Sequence, residues 1–204
     1  PPRRAAQSRM RQRDELEQFA ALLRKWNAVQ NLVSRETVDT LWPRHIDDSL
    51  QLVPLLRDSD RRIIDLGSGG GFPAIPLAIA TRGSERRFTL VEPIAKKASF
   101  LRTAARELEL PVTVESIRAE QVDSRETFDL VTSRALSALP ELLTLAARFL
   151  APQGHMLLHK GRNYRQELDA AAQLFDFDVV IHPSRTDPES AILEISNLRA
   201  KSAA

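Results

Sequence analysis

The chain is predicted to be a doubly wound α/β protein, with a mostly parallel seven-stranded sheet, an antiparallel hairpin at one edge and a helical cap at the N-terminus. Three observations predict it. From Arg61 onward, short apolar runs alternate with stretches of helical periodicity, the pattern of a parallel sheet covered by helices. The first apolar run enters a glycine-dense turn, Gly67-Ser68-Gly69-Gly70-Gly71, which holds four of the chain's seven glycines. The last two apolar runs follow each other with only a Pro- and Asp-containing turn between them, so they pair as a hairpin.

The elements follow in order. Leu16, Phe19, Leu23 and Trp26 recur at three and four residues, which predicts an amphipathic helix that stops near Asn27 to Asn31. A second helix is expected over 42–56, with Ile46, Leu50 and Val53 facing inward, before the polar break Asp58-Ser59-Asp60. Residues 1–60 therefore read as a basic arm and helical cap on a core of residues 61–204. Strands are expected in that core at 63–66, 88–91, 112–117, 128–132, 155–159, 177–181 and 191–196. Helices are expected at 73–82, 94–109, 139–150 and 164–174. Pro73 suits a first helical turn, where its missing N–H costs nothing.

Composition narrows the chemistry. A length of 204 residues fits one domain with an extension. No apolar run approaches the roughly 20 residues of a membrane span. There are no cysteines, which excludes disulfides, thiolate metal sites and a cysteine nucleophile, including the covalent route to C5 of pyrimidines, and fits a cytosolic protein. His45 has no second His or carboxylate at a recognised metal spacing, and no metal is expected. Net charge is only +2, but Arg3, Arg4, Arg9, Arg11 and Arg13 all precede the first acid, Asp14. Such an arm either neutralises phosphates on nucleic acid or stays a solvated leader.

In open α/β sheets the ligand lies beyond the carboxyl ends of the strands, against a helix N-terminus. Dinucleotide-binding loops require G-x-G-x-x-G, and the sixth position counted from Gly67 is Phe72, so that pattern fails. What remains is Asp65-x-Gly67-x-Gly69-x-Gly71, the form typical of Rossmann-like S-adenosylmethionine-dependent methyltransferases. Glu92 ends the second strand, where a carboxylate can take two ribose hydroxyls. The strand ends also gather Lys96, Lys97, Arg118, Arg134 and Lys160, a rim that favours an anionic substrate such as nucleic acid. Only one Tyr is present, and Phe72 and Trp42 are the aromatic residues placed to stack on a base, if they are not core.

A second polar cluster, Arg44-His45-Ile46-Asp47-Asp48-Ser49, lies in the cap. Arg44 and Asp48 are four apart and can pair on one helix face, with His45 and Ser49 on the neighbouring stripe. The cluster is either a solvent-facing helix with an ordinary ion pair or a cap that covers the cofactor and seats the substrate. His155 reads as structural within the fifth strand, and His182 as remote from the site. After the fourth strand the chain reads Ser133-Arg134-Ala135, not the Asn/Asp-Pro-Pro-aromatic motif of exocyclic-amine methyltransferases. Without that motif and without Cys, a ring nitrogen such as guanine N7 is the better acceptor. It carries a lone pair and no proton, so attack needs alignment and desolvation but no general base.

These residues resemble a known family. Trp26-Asn27 with Asn31-Leu32, Arg44-His45-Ile46 with Asp48-Ser49, Asp65-Leu66-Gly67-Ser68-Gly69 with Gly71-Phe72-Pro73, Glu92 with Lys96-Lys97 and Phe100-Leu101-Arg102, Phe128-Asp129 with Ser133-Arg134-Ala135, and Lys160-Gly161 are similar to the bacterial 16S rRNA guanine-N7 methyltransferase family (RsmG, or glucose-inhibited division protein B). The resemblance implies a monomeric cytoplasmic enzyme that methylates one guanine in the 530 loop of small-subunit rRNA, as naked 16S rRNA or within the 30S subunit. It implies that Gly67, Gly69, Gly71 and Phe72 meet S-adenosylmethionine and that Glu92 holds its ribose. Ala119 and Glu120 would border the adenine, and Arg134 would stand at the junction of cofactor and substrate. Arg44, His45, Ser49, Lys97 and Lys160 would face the RNA. Arginine commonly grips guanine through O6 and N7 together, and that grip would block an N7 nucleophile. Arg134 is therefore expected to hold O6 alone, a phosphate or the cofactor carboxylate, and it stays protonated throughout. Gly70 and Ala74 depart from the family, which often has Ala and Gly there, and the Arg-rich leader is no part of its pattern. The competing readings are a same-fold methyltransferase acting on another RNA and a non-catalytic RNA-binding assembly factor; a nicotinamide-dependent oxidoreductase is disfavoured by Phe72.

Overall fold

The computed structural model describes residues 2–201 except Ser124 and Ala135. The N-terminal part is α1 (Pro2–Asn27), α2 (Arg35–Val38), a π-helical turn Trp42–Ile46 that runs into α3 (Asp47–Leu50), and a 3-10 turn Val53–Leu55. The rest is β1 (Arg62–Leu66), α4 (Ala74–Ala80), β2 (Arg87–Val91), α5 (Ala95–Glu107), β3 (Val112–Glu115), a 3-10 turn Ala119–Gln121, β4 (Phe128–Arg134), α6 (Leu139–Ala146), β5 (Leu150–Lys160), α7 (Tyr164–Leu174), β6 (Phe175–Pro183) and β7 (Ala191–Ala200).

The strands form one sheet in the order β3-β2-β1-β4-β5-β7-β6. β1 to β5 are parallel, and β7 runs antiparallel to both β5 and β6. The predicted α/β architecture and hairpin are both present, with β7 lying inside the sheet and β6 at the edge. Because β6 runs in the direction of β1 to β5, its carboxyl end opens onto the same side as theirs. Strand order reverses between β1 and β4, which is where a crevice forms in such sheets. Leu66 pairs with both Val91 and Ser133, so Gly67 and Glu92, just past their strands, stand beside Arg134, the last residue of β4.

Alternation along the strands builds two cores. Ile63, Phe88, Leu90, Leu130 and Leu157 face α1, α4 and α5, while Ile64, Leu66, Val131, Met156 and Leu158 face α6 and α7. Helix α1 joins the first core through Phe19 and Leu23, both fully buried, each worth roughly 1.5–3 kcal/mol of burial. Phe19 meets Phe72 of the glycine turn edge-on at 5.4 Å. Buried Glu15 accepts from Arg82 at the end of α4 and from Arg11. The α1 helix ends where Asn27 Oδ1 accepts the N–H groups of Leu32 and Val33.

Several boundaries differ from expectation, each for a local reason. Helix α1 starts well ahead of Leu16, because Ala6 to Asp14 is nearly all exposed and carries no apolar stripe. The segment 42–56 is not one helix: the π turn adds a residue per turn, and Pro54 supplies no N–H to continue α3. Its buried apolar residues are Ile46 and Leu52, whereas Leu50 and Val53 are only half-buried. Helix α4 starts one residue after Pro73, and α6 stops at Ala146. Strand β5 then begins at Leu150, earlier than expected, because a bulge lets Leu150 pair with Phe128 and His155 with Leu130. Gly154 sits in that bulge, where a Cβ would lie 3.0 Å from two carbonyl oxygens. His155 is buried with its Nε2 3.1 Å from both carboxylate oxygens of Asp60, so the residue that reads as a polar break is a buried structural partner, 1 % exposed.

Candidate active site

The glycine turn has its conformation because three of its residues have positive φ: Gly67 (+70°), Gly69 (+52°) and Gly71 (+91°). Gly67 and Ser68 donate to Val91 O, which draws the turn across the end of β2. Glu92, 4 % exposed, accepts from Gly69 N–H at 2.8 Å and from Ile94 N–H at 2.9 Å. Each of its oxygens keeps a further lone pair. Asp65 accepts from the Thr132 hydroxyl at 2.7 Å, while its Oδ2 finds no partner among the described residues. Burial pushes the Asp65 carboxyl up to about 6.

Two cavities open beyond the strand ends. The first, about 530 Å³, is bordered by Gly67, Pro93, Arg118, Ala119, Glu120 and Leu136. The second, about 650 Å³, is bordered by Arg44, His45, Asp48, Arg134, His159 and Lys160, and closed on one side by Thr186 and Asp187 of the β6–β7 loop. Leu136 and Ser137 border both.

Arg134 organises the second cavity. Its Nη2 donates to His45 Nδ1 at 2.7 Å, and its Nη1 to Arg44 O at 3.3 Å and Asp48 Oδ2 at 3.4 Å. The guanidinium carbon stands 5.1 Å from the Phe72 ring centre, and that ring stacks on His45 at 5.0 Å. Arginine only donates, so His45 Nδ1 must accept and the ring proton sits on Nε2, which is enclosed without a partner among the described residues. Burial, and then the Arg134 charge, push His45 down to about 4, so the ring is neutral at pH 7. Burial likewise lowers the Arg134 pKa, against the pull of Asp48.

Asp48 ties four elements together. It accepts from Arg134, from the Thr186 hydroxyl at 2.7 Å and from Gln51 Nε2 at 2.7 Å, and its main-chain oxygen accepts from His159 Nε2 at 3.0 Å. The expected Arg44–Asp48 pair does not form, since the Asp48 carboxylate turns toward Arg134. Lys160 is no solvated rim cation: it is 8 % exposed and donates to Glu167 Oε2 and Ser137 O, both at 2.7 Å. The same Glu167 oxygen accepts Leu139 N–H, which clamps the turn after β4.

The structure thus brings Arg44, His45, Arg134 and Lys160 to one cavity and Gly67, Ala119 and Glu120 to the other, with Gly69 and Glu92 bonded between β1 and β2. Four residues fall elsewhere. Ser49 is fully buried and donates to His45 O at 2.6 Å, supporting the turn from behind. The Phe72 ring and Gly71 are packed into the core, so neither is a stacking platform. Lys97 is half-buried on α5 and borders neither cavity. His182 pairs with Glu194 away from both. Ala135 lies outside the described residues. Sequence reading passed over Asp48 as an anchor, Glu167 and the β6–β7 loop. The direction of β6 was the available signal for the loop, because a parallel strand ends on the ligand side. Among the described residues no group of three His, Asp or Glu is placed to hold a metal, and no helix is long and apolar enough to cross a membrane.

Comparison with known proteins gives consistent relatives. The family model described as GidB, rRNA small subunit methyltransferase G, matches residues 12–189. A ribosomal RNA small subunit methyltransferase G from Cereibacter sphaeroides is 46% identical over 187 residues, covering 91% of this chain and 90% of that protein. One of the same name from Brucella ovis is 48% identical over 191 residues, covering 92% and 89%. Among solved structures, an O-methyltransferase from Bacillus cereus in complex with SAH has a TM-score of 0.62 at 16% identity, covering 88% of this chain and 91% of that one, a likeness of fold.

Proposed function

The chain belongs to the rRNA small subunit methyltransferase G family, and from that membership we propose its reaction: methyl transfer from S-adenosylmethionine to N7 of one guanine in the 530 loop of 16S rRNA. That it is a methyltransferase of small-subunit rRNA follows from the family. The choice of N7 rests on a different observation: among the described residues bordering the larger cavity no basic group is left to remove a proton, the Asp48 carboxylate being engaged by Arg134, Thr186 and Gln51. The His45 Nδ1 lone pair is occupied by Arg134. His159 keeps a lone pair on Nδ1, but that atom is enclosed by protein. Asp187 is held below the usual carboxylate range by hydrogen bonds from Glu189 N–H and the Ser190 hydroxyl. Lys160 and Glu167 neutralise each other. A nucleophile that carries no proton suits such a site.

The smaller cavity fits the methyl donor. Its volume is in the range of small-molecule sites, positive-φ glycines bring the main chain close, and Glu92 presents lone pairs beside the turn. S-adenosylmethionine, when bound, supplies an electrophilic methyl group on a sulfonium. Gly67 and Gly69 would hold it at the turn, Glu92 its ribose, and Ala119 and Glu120 its adenine, with Gly71 and Phe72 supporting the turn from behind. The target base would enter the larger cavity, where Arg134 holds O6, a phosphate or the cofactor carboxylate without covering N7. The cap of residues 1–60 supplies the Arg44 and His45 wall of that cavity. The enzyme acts in the cytoplasm as a monomer on the 30S subunit or its rRNA.

The test is transfer of a tritiated methyl group to 30S subunits from a strain lacking the modification, with the labelled base mapped. Label on one guanine, at a site cleaved by borohydride and aniline as N7-methylguanosine is, supports the reading. Label on an exocyclic amine or a ribose overturns the N7 assignment.

A further inference from the structure

His45 borders the larger cavity, yet its only accepting atom points into the protein at Arg134. Of the three bonds that orient the guanidinium, the two that Nη1 donates, to Arg44 O and Asp48 Oδ2, are long, at 3.3 and 3.4 Å. Nη2 has a single partner, His45 Nδ1, at 2.7 Å. The imidazole cannot swing away to release it. The ring is stacked on Phe72, its own carbonyl is held by the Ser49 hydroxyl, and the residue is 9 % exposed. The π-helical turn that carries His45 is the irregularity that places its ring there, and such turns recur at functional sites.

We infer that His45 is a positioning residue for the transfer: its Nδ1 lone pair fixes the Arg134 guanidinium in the wall of the larger cavity, and His45 itself does not touch the base. This rests on the role of Arg134 proposed above. The groups facing His45 are Arg134 from β4, Asp48 from α3 and Arg44 from its own turn. Two of the three are cations, which keeps the ring neutral and able to accept. A protonated imidazole would have two donors, no acceptor, and a like charge against the guanidinium.

The test compares His45→Phe, which keeps a ring on Phe72 but removes the acceptor, with His45→Asn, whose amide oxygen can stand where Nδ1 does. Steady-state methylation of unmodified 30S subunits is measured for both, for Arg134→Ala and for the His45→Phe/Arg134→Ala double variant. Restricted rotation of the Arg134 guanidinium is read from its ¹⁵N signals in the ligand-free protein. The inference expects His45→Phe to lower kcat at least tenfold with KM for 30S within about threefold, and His45→Asn to recover most of that loss. It expects His45→Phe to add nothing in the Arg134→Ala background, and the restricted Arg134 signal of the wild type to be averaged in His45→Phe. Equal losses in both backgrounds, no better rate for Asn than for Phe, or an unchanged Arg134 signal in His45→Phe overturns it. Should the wild type transfer no methyl group to 30S, the proposed reaction fails, while the Arg134 signal still decides whether His45 holds the guanidinium.

Discussion

The two cavities share Leu136 and Ser137 but are built in opposite ways. Besides Glu141, Thr144 and Leu145 of α6 and the following Arg148, the smaller one has a wall of consecutive strand ends: the glycine turn after β1, Pro93 after β2 and Ala119-Glu120 after β3. Backbone conformation does most of the shaping there, through three positive-φ glycines and one carboxylate bonded to main-chain N–H groups. The larger one is made of side chains far apart in sequence, with Asp48 bonded to Arg134, His159 and Thr186 across four elements. A site made of backbone depends on local conformation, whereas one made of side chains depends on every partner being present. Damage should therefore propagate differently in each.

The largest effect is expected from Asp48→Ala. It leaves the mostly buried Arg134 guanidinium without its counter-ion and frees the β6–β7 loop, at a cost of about 4 kcal/mol, or about 10 °C in Tm by thermal unfolding. Methylation should fall with it, while affinity for S-adenosylmethionine by titration calorimetry should stay within about threefold. An equal loss of cofactor affinity would mean that the two cavities are not separately built. Gly71→Ala should invert that pattern. Its φ of +91° is strained for any side chain, and the new Cβ would lie 2.7 Å from Ile75 Cγ1 and 3.2 Å from Leu101. About 3 kcal/mol of destabilisation and a tenfold or greater loss of cofactor affinity are expected.

Asp65 and His45 sharpen the comparison through pH. The folded-state pKa of Asp65 is raised from 3.8 to about 6, so the folded state binds the extra proton and stability falls as pH rises from about 4 to 6. His45 is depressed from 6.5 to about 4, so the unfolded state binds the extra proton and stability falls as pH drops through the same window. The two slopes oppose each other in the wild type. Asp65→Asn should remove one of them, so that denaturant-unfolding stability rises with pH from about 4 to 6.5 by on the order of 2 kcal/mol more than in the wild type. An unchanged profile would show that Asp65 does not titrate in that range. The smallest effect belongs to Arg13→Ala at the exposed Arg13–Glu17 pair, under about 0.5 kcal/mol by the same measurement. A larger loss would mean that the contact of Arg13 with Trp42 at 5.9 Å braces the turn carrying His45.

Much of the fold was legible because its signals are local. Ile63-Ile64, Leu90-Val91 and Val131 sit in apolar runs that a doubly covered parallel sheet requires, and Leu16, Phe19 and Leu23 keep helical spacing wherever α1 meets the core. Legibility ended where that coupling did. Helix α1 over residues 6–13 has no packed face to leave a period. The segment 42–56 was read as one helix because its apolar residues suggest a single stripe, and a π turn is invisible to a fixed period of 3.6. The strand β5 start was hidden by Pro152 and Gly154, which look like a turn and form a bulge.

The candidate site divides along the same line. The sequence by itself determined the glycine-turn side, because a glycine turn, the strand before it and the acid ending the next strand are set by nearest neighbours and by the fixed rise of a strand. It also named Arg134, His45 and Lys160, which border the larger cavity. Only the tertiary structure decided what they do there: that Lys160 is neutralised by Glu167, that Asp48 pairs with Arg134 and not Arg44, and that His45 stays neutral with its lone pair on Arg134. Those outcomes depend on desolvation and on which donor reaches which acceptor within about 3 Å, and both are properties of packing across the sheet that no spacing along the chain encodes.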